Sequence, residues 1–222
     1  MNRKERRQKA RAAKNRGNKV NHHGVLAEQL FNQGKIEDAI SAFQRAVKSD
    51  KSYVQGWFNL GVLYNQTGKG EEAVKSYKKA ISIKPDYSEA YYSLGNALKE
   101  QNCIVEAISS YQKAIALKPD FLEAHINLGN IFKDQNCFDD AIICYRAALT
   151  INPNFAEAHN NLGNIFRDKN ELSIAVESYQ NALINKPDYC DAYYNLGNAL
   201  HEQGKIDDAH EQFKKAISCN PA

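Results

Sequence analysis

Five prolines, Pro85, Pro119, Pro153, Pro187 and Pro221, stand 34 residues apart without a slip. A fixed period of this length points away from one core of irregular order. It calls for a single supersecondary motif built repeatedly, each copy burying its apolar face on the next. Counting 34 positions per repeat gives starts at Val20, Val54, Ser88, Leu122, Ala156 and Cys190. One phrase returns with the period: YYSLGNAL at 91–98, HINLGNIF at 125–132, HNNLGNIF at 159–166 and YYNLGNAL at 193–200.

Each repeat predicts two helices. Residues at positions 4, 7, 8 and 11 form the i, i+3, i+4, i+7 stripe of a helix face, as in Trp57, Leu60, Gly61 and Tyr64. Position 15 is always Gly or Asn (Gly34, Gly68, Asn102, Asn136, Asn170, Gly204), the residues that accept the left-handed turn ending a helix. Acidic pairs such as Glu71-Glu72 and Asp139-Asp140 then open a second helix, where negative charge is favourable. Its inner face carries Ala at 20 and 27 and an aromatic ring at 24: Phe43, Tyr77, Tyr111, Tyr145, Tyr179 and Phe213. Proline at 32 cannot continue that helix and marks the connection onward.

These slots resemble the tetratricopeptide repeat over residues 20–222, with His125 and His159 standing in the aromatic slot at position 4. The first repeat departs further, with His23 at position 4, Ala27 in place of Gly, and Lys51 in place of Pro. The resemblance implies an all-α, right-handed superhelical solenoid of six helix-turn-helix repeats (20–53, 54–87, 88–121, 122–155, 156–189, 190–222). It also implies that the first helices line a concave groove. Residues 1–19 are a separate basic tail expected to be disordered.

If positions 4, 7, 8 and 11 pack inward, positions 6 and 9 share the opposite stripe, one helical turn apart. Position 6 holds Asn59, Asn127, Asn161 and Asn195, with Ser93 among them; position 9 holds Asn96, Asn130, Asn164 and Asn198. A side-chain amide offers both a donor and an acceptor, the complement of a peptide main chain. With helices about 8–10 Å apart and an extended chain rising about 3.3 Å per residue, one repeat would serve roughly three ligand residues. The ladder resembles that in the repeat arm of protein O-GlcNAc transferases. The alternative is an Asn pattern common to the family on a solvated face with no dedicated ligand. Phe58, Tyr92 and Tyr194 at position 5 are candidate grips on a ligand, with half-buried packing as the competing role. Position 12 supplies Lys99, Lys133 and Arg167 and position 13 supplies Glu100, Asp134, Asp168 and Glu202, sets expected to pair with each other or with solvent. Repeats of this kind that clamp a terminal carboxylate need Lys or Arg at positions 5, 2 and 6. Here position 5 is Tyr92, Ile126 or Asn160 and position 2 is acidic, which argues against that ligand.

No catalytic, metal or cofactor constellation is found. TGKGEE at 67–72 lacks the leading Gly and the closing hydroxyl of a phosphate loop, and HEQGK at 201–205 lacks the second His of a zinc helix. His125 and His159 are read as packing residues. Five Cys without a C-x-x-C pair suggest neither disulfides nor zinc and fit a reducing, cytoplasmic setting. No run of apolar residues is long enough to span a membrane. The expectation is a protein without enzymatic activity.

Charge is unevenly placed. Residues 1–19 carry nine Lys or Arg (Arg3, Lys4, Arg6, Arg7, Lys9 and Arg11 among them) against Glu5, a net of +8, so a whole-chain charge of +3 leaves −5 on the remainder. Such a tail suits nucleic acid or an anionic membrane, or serves only to solubilise. The opening MNRKERR also resembles the starts of some bacterial repeat proteins that carry transferase domains. The final repeat stops at Asn220-Pro221-Ala222 with no capping helix over Ile206, Phe213 and Ile217, an apolar face open to self-association or to a further domain. The leading reading is an interaction scaffold that binds extended segments of partner proteins. The alternatives are the substrate-recruiting arm of a larger glycosyltransferase or sulfotransferase, and a nucleic-acid binder acting through the tail.

Overall fold

In the computed structural model, which describes residues 24–219, each first helix ends on the Gly or Asn that the sequence places at position 15. Gly34, Gly68 and Gly204 have φ of 73°, 72° and 78°, and Asn102, Asn136 and Asn170 have φ of 59°, 58° and 61°. The following amide then reaches back five residues to close the turn, as in Lys69 N–H to the Tyr64 carbonyl (2.8 Å) and Glu171 N–H to that of Phe166 (2.7 Å).

Among the described residues there are twelve helices and no strand. One half, ending at Lys118, contains α1 (24–32), α2 (Ile36–Ser49), α3 (Val54–Gln66), α4 (Gly70–Ile83), α5 (Ser88–Glu100) and α6 (Ile104–Leu117). The other, beginning at Pro119, contains α7 (Leu122–Asp134), α8 (Phe138–Ile151), α9 (Ala156–Asp168), α10 (Leu172–Asn185), α11 (Cys190–Glu202) and α12 (Ile206–Cys219). In the first half α2 packs on α3, α3 on α4, α4 on α5 and α5 on α6, and α3 also meets α5 directly. In the second, α7 through α12 pack in the same serial order, with α9 meeting α11. First helices therefore touch first helices inside each half, which aligns their outer stripes.

The ring at position 24 explains the glycine at position 8. Tyr111, Tyr145 and Tyr179 are wholly buried, and each lies against the Gly of its own first helix. A Cβ added at Gly163 would meet Tyr179 Cε1 at 2.5 Å, and one at Gly95 would meet Tyr111 Cε1 at 2.7 Å. Ala at 20 and 27 borders the same ring, so Ala141, Ala148, Ala175 and Ala182 are all fully buried. Large ring and small neighbours are one packing solution, repeated.

The second helices stop where proline demands. The residue before each proline is held extended (Lys84 ψ 89°, Asn152 ψ 94°), the conformation that the proline ring imposes. The first repeat has no proline, yet α2 stops at the same position. Asp50 takes extended geometry and its carboxylate accepts the Ser52 N–H at 2.8 Å, a side-chain turn that Asn152 also makes, to the Asn154 N–H at 3.1 Å.

Candidate functional site

The ladder Asn residues lie on α3, α5, α7, α9 and α11, and all eight are half-buried. Half-burial forces the question of what their amides bond to, since an unpaired buried polar group costs about 1–3 kcal/mol. In the C-terminal half the partner of Asn130 and Asn164 is the buried ring of the same repeat. The Tyr145 hydroxyl donates to Asn130 Oδ1 at 2.6 Å, and the Tyr179 hydroxyl donates to Asn164 Oδ1 at 2.8 Å. Asn161 Nδ2 donates to the same Asn130 oxygen at 3.1 Å. Asn195 Nδ2 donates to Asn160 Oδ1, also at 3.1 Å.

These bonds set the polarity of the surface. With both lone pairs of Asn130 Oδ1 engaged, its NH₂ is left as the outward donor. Asn161 and Asn195 have each committed one of two N–H donors, which leaves Oδ1 and a second N–H to face outward. Burial holds the hydroxyls in their protonated, donating form: the pKa values of Tyr145 and Tyr179 are pushed up chiefly by desolvation.

In the N-terminal half the ladder is less regular. The Tyr111 hydroxyl donates to Asn96 Oδ1 at 2.6 Å. Val62 stands where position 9 would offer an amide, and the Tyr77 hydroxyl lies near Ser93 instead. Asn59 Oδ1 accepts from Gln55 Nε2 at 2.9 Å. At the far end of the chain Asn198 loses the tether too, because position 24 is Phe213. Asn127 on α7 keeps a partner of its own.

The three candidate grips divide. Phe58 packs on Tyr77 and Tyr87 (ring centroids 5.8 and 5.1 Å apart) and Tyr92 on Tyr111 (5.9 Å), so both are half-buried packing rings. Tyr194 leans on Phe213 at 5.8 Å yet stays 57% exposed, beside Asn198 and Asp191 in a cleft of about 620 Å³. At position 12, Lys133 and Arg167 pair with their neighbours Asp134 and Asp168, each at 3.7 Å. Glu157 pairs with Lys186 at 3.3 Å.

His125 and His159 each lie 2.9 Å by Nε2 from a carbonyl, of Pro119 and Pro153 respectively, which gives the position-4 His a local bond from the ring nitrogen. Among the described residues no group of His, Cys, Asp and Glu is arranged to hold a metal, and no helix is long and apolar enough to cross a membrane. Ile206 and Ile217 on α12 are exposed (55% and 74%). The tail residues Arg3, Lys4, Arg6, Arg7, Lys9 and Arg11, and Asn220–Ala222, lie outside the described residues.

The tyrosine tether and the buried Asn160 (5% exposed) were not anticipated from sequence. A signal existed: Tyr at 24 accompanies Asn at 9 in three consecutive repeats, as Tyr111/Asn96, Tyr145/Asn130 and Tyr179/Asn164. Also unforeseen is the nearness of Cys190 on α11 to Cys219 on α12; the Cys190 thiol itself donates to the Asp188 carbonyl at 3.6 Å.

Helix pairs of 34-residue period, with a ring seated on a glycine and a left-handed cap, define a tetratricopeptide-repeat protein. The chain belongs to the family of the cilia and flagella-associated protein 70 C-terminal domain, which it matches over residues 2–220. No curated protein matches it at a significant level. Among solved structures it is similar to the MamA protein, with 27% identity, 79% of this chain and 96% of that one covered, and a TM-score of 0.73. YrrB, a TPR protein with an unusual peptide-binding site, has 24% identity over 81% of this chain and 93% of its own, at a TM-score of 0.69. PilF of Pseudomonas aeruginosa has 17% identity, coverage of 94% and 95%, and a TM-score of 0.75. The last two likenesses speak for the fold alone.

Proposed function

We propose that the chain is a non-enzymatic interaction scaffold that holds extended segments of partner proteins along the Asn ladder. The observation that carries this reading is the fixing of amide polarity. Asn130 is left presenting N–H, and Asn161 and Asn195 each present C=O with one remaining N–H, groups that a peptide main chain complements. Main-chain capture makes the site tolerant of ligand side chains, and Tyr194 adds one apolar grip. YrrB, of the same fold, has a peptide-binding site, which is consistent with this use. The working unit is the repeat array from 20 to 222, with 1–19 as an accessory basic tail. Five free thiols suit a reducing, cytoplasmic compartment.

The test is to select binders from a random linear peptide library and remeasure them on Asn161→Ala/Asn195→Ala. Two hydrogen bonds of about 0.5–1.5 kcal/mol each predict a loss of roughly 5- to 150-fold with helicity unchanged. Ligand side-chain substitutions should matter far less. Undiminished binding by the variant would overturn the reading.

A further inference from the structure

We propose a second binding site, a cleft between α2 and α4 on the face of α3 away from the ladder, for an acidic peptide segment carrying one large apolar side chain. Along α3, Trp57, Leu60 and Tyr64 form one stripe, while Asn59 and Val62 lie on the opposite one at 3.6 residues per turn. The cleft encloses about 630 Å³, within the range that holds small ligands and side chains. Its floor is Val47, Trp57, Leu60 and Tyr64, and its rim carries Lys48, Lys51, Lys75 and Lys79 against one acid, Glu72.

The repeats themselves supply the comparison that singles this cleft out. The fold is built several more times in the same chain, so a residue that departs from its counterparts is not required by the fold. Position 4 is Trp57 here and Tyr91, His125, His159 or Tyr193 elsewhere; position 11 is Tyr64 here and Leu or Phe in the next four repeats. Position 32 is Lys51 where the other five repeats have proline. Lys48 stands where the next four repeats have Ser82, Ala116, Thr150 and Ile184, and Lys75 where they have Ser109, Ile143, Glu177 and Glu211. Five departures meet around one cavity: Lys48, Lys51 and Lys75 add positive charge, Trp57 a larger ring and Tyr64 a hydroxyl-bearing one.

Local bonds hold the floor in place. Trp57 Nε1 donates to the Lys51 carbonyl at 3.0 Å, and Gln44 Nε2 donates to the Tyr64 hydroxyl at 2.7 Å. The charge above it is uncommitted. Lys75 reaches only the exposed Glu71 at 3.5 Å, and Lys48, Lys51 and Lys79 form no ion pair among the described residues. An apolar floor under a lysine rim is complementary to carboxylates flanking an aromatic or branched aliphatic side chain. Phosphate recognition would favour Arg forks or a helix N-terminus converging on one point, and neither is present at this cleft. The floor residues Val47 and Leu60 are 4% and 2% exposed, too recessed for a bilayer surface to reach.

Trp57 is the only tryptophan in the chain, so its fluorescence reports occupancy of this cleft alone. The full chain is titrated with the probe peptide acetyl-EEDFDEE-amide, with the same peptide bearing Ala for Phe, and with acetyl-QQNFNQQ-amide. Phosphatidylserine–phosphatidylcholine vesicles and oligothymidylate complete the set. The expected result is a saturable change in emission with the first peptide, weakened at least about tenfold for the two controls and for Lys51→Glu/Lys79→Glu. Lys48→Glu is the second variant should the double one fail to fold, and Asn161→Ala/Asn195→Ala should leave this signal unchanged. No response to the acidic peptide, an equal response to the neutral one, or a response only to vesicles or oligonucleotide would overturn the proposal.

Discussion

Replacing Gly163 by Ala in the middle of α9 is a change that helix propensity alone marks as stabilising, by about 0.8–1.0 kcal/mol. The packing reverses the sign. The new Cβ would stand 2.5 Å from Tyr179 Cε1 and 2.6 Å from Cδ1, where carbon atoms rest at about 3.5–4.0 Å. Tyr179 is wholly buried and its hydroxyl is tied to Asn164 at 2.8 Å, so the ring cannot withdraw without releasing that bond. Overpacking costs about 1–3 kcal/mol and the lost hydrogen bond about 0.5–1.5 kcal/mol. Net of the propensity gain, Gly163→Ala should destabilise by about 1–3 kcal/mol, read from urea unfolding by far-ultraviolet circular dichroism. Tyr179→Phe frees the ring from its tether, so the double variant should lose less than the two single losses summed. The first repeat already contains that combination, Ala27 with Phe43, both buried. A Gly163→Ala protein as stable as the parent, or more stable, would refute this account of the recurring phrase.

At the turn between α7 and α8, Asn136→Ala should cost about 1–2 kcal/mol by forcing a Cβ-bearing residue without a local polar partner to φ 58°, whereas Asn136→Gly should be tolerated; thermal melts separate the two. Burial pushes the Tyr77 pKa up from 10.0 to about 12, so the folded state holds that proton more tightly than the unfolded chain. Its contribution is complete below pH 10 and is lost as pH rises from about 10 to 12, and Tyr77→Phe should flatten that part of the stability profile. Treatment with diamide should join the neighbouring free thiols of Cys190 and Cys219, linking α11 to α12. Mass spectrometry should find the linked peptides, and Cys219→Ser should abolish them.

Sequence periodicity was enough to place the helix pairs, because the signals concerned are local. A left-handed cap at Asn102 or Gly204 and a proline stop at Pro153 act on their own few residues and need no tertiary partner. The inward stripe was legible for the same reason, since 3.6 residues per turn fixes which side chains share a face. What escaped was set by distance. The bond from Tyr145 to Asn130 joins two helices, and Asn160 is buried only because the next repeat covers it. Half of the ladder's chemistry thus sits in rings that read as plain core. The lysine-rimmed cleft was legible only in fragments: Lys51 was visible as a missing proline, but nothing in the linear order places it beside Lys79.

The widest of the ladder hydrogen bonds, Asn195 to Asn160, spans 35 residues, one repeat and a single step more. Each module consults only its immediate neighbours, and each cap is closed by its own amides. Deleting or duplicating 34 codons would therefore remove or add a complete rung and leave every remaining turn intact. Array length is an inherited quantity that slippage in the gene can adjust without relearning how to fold.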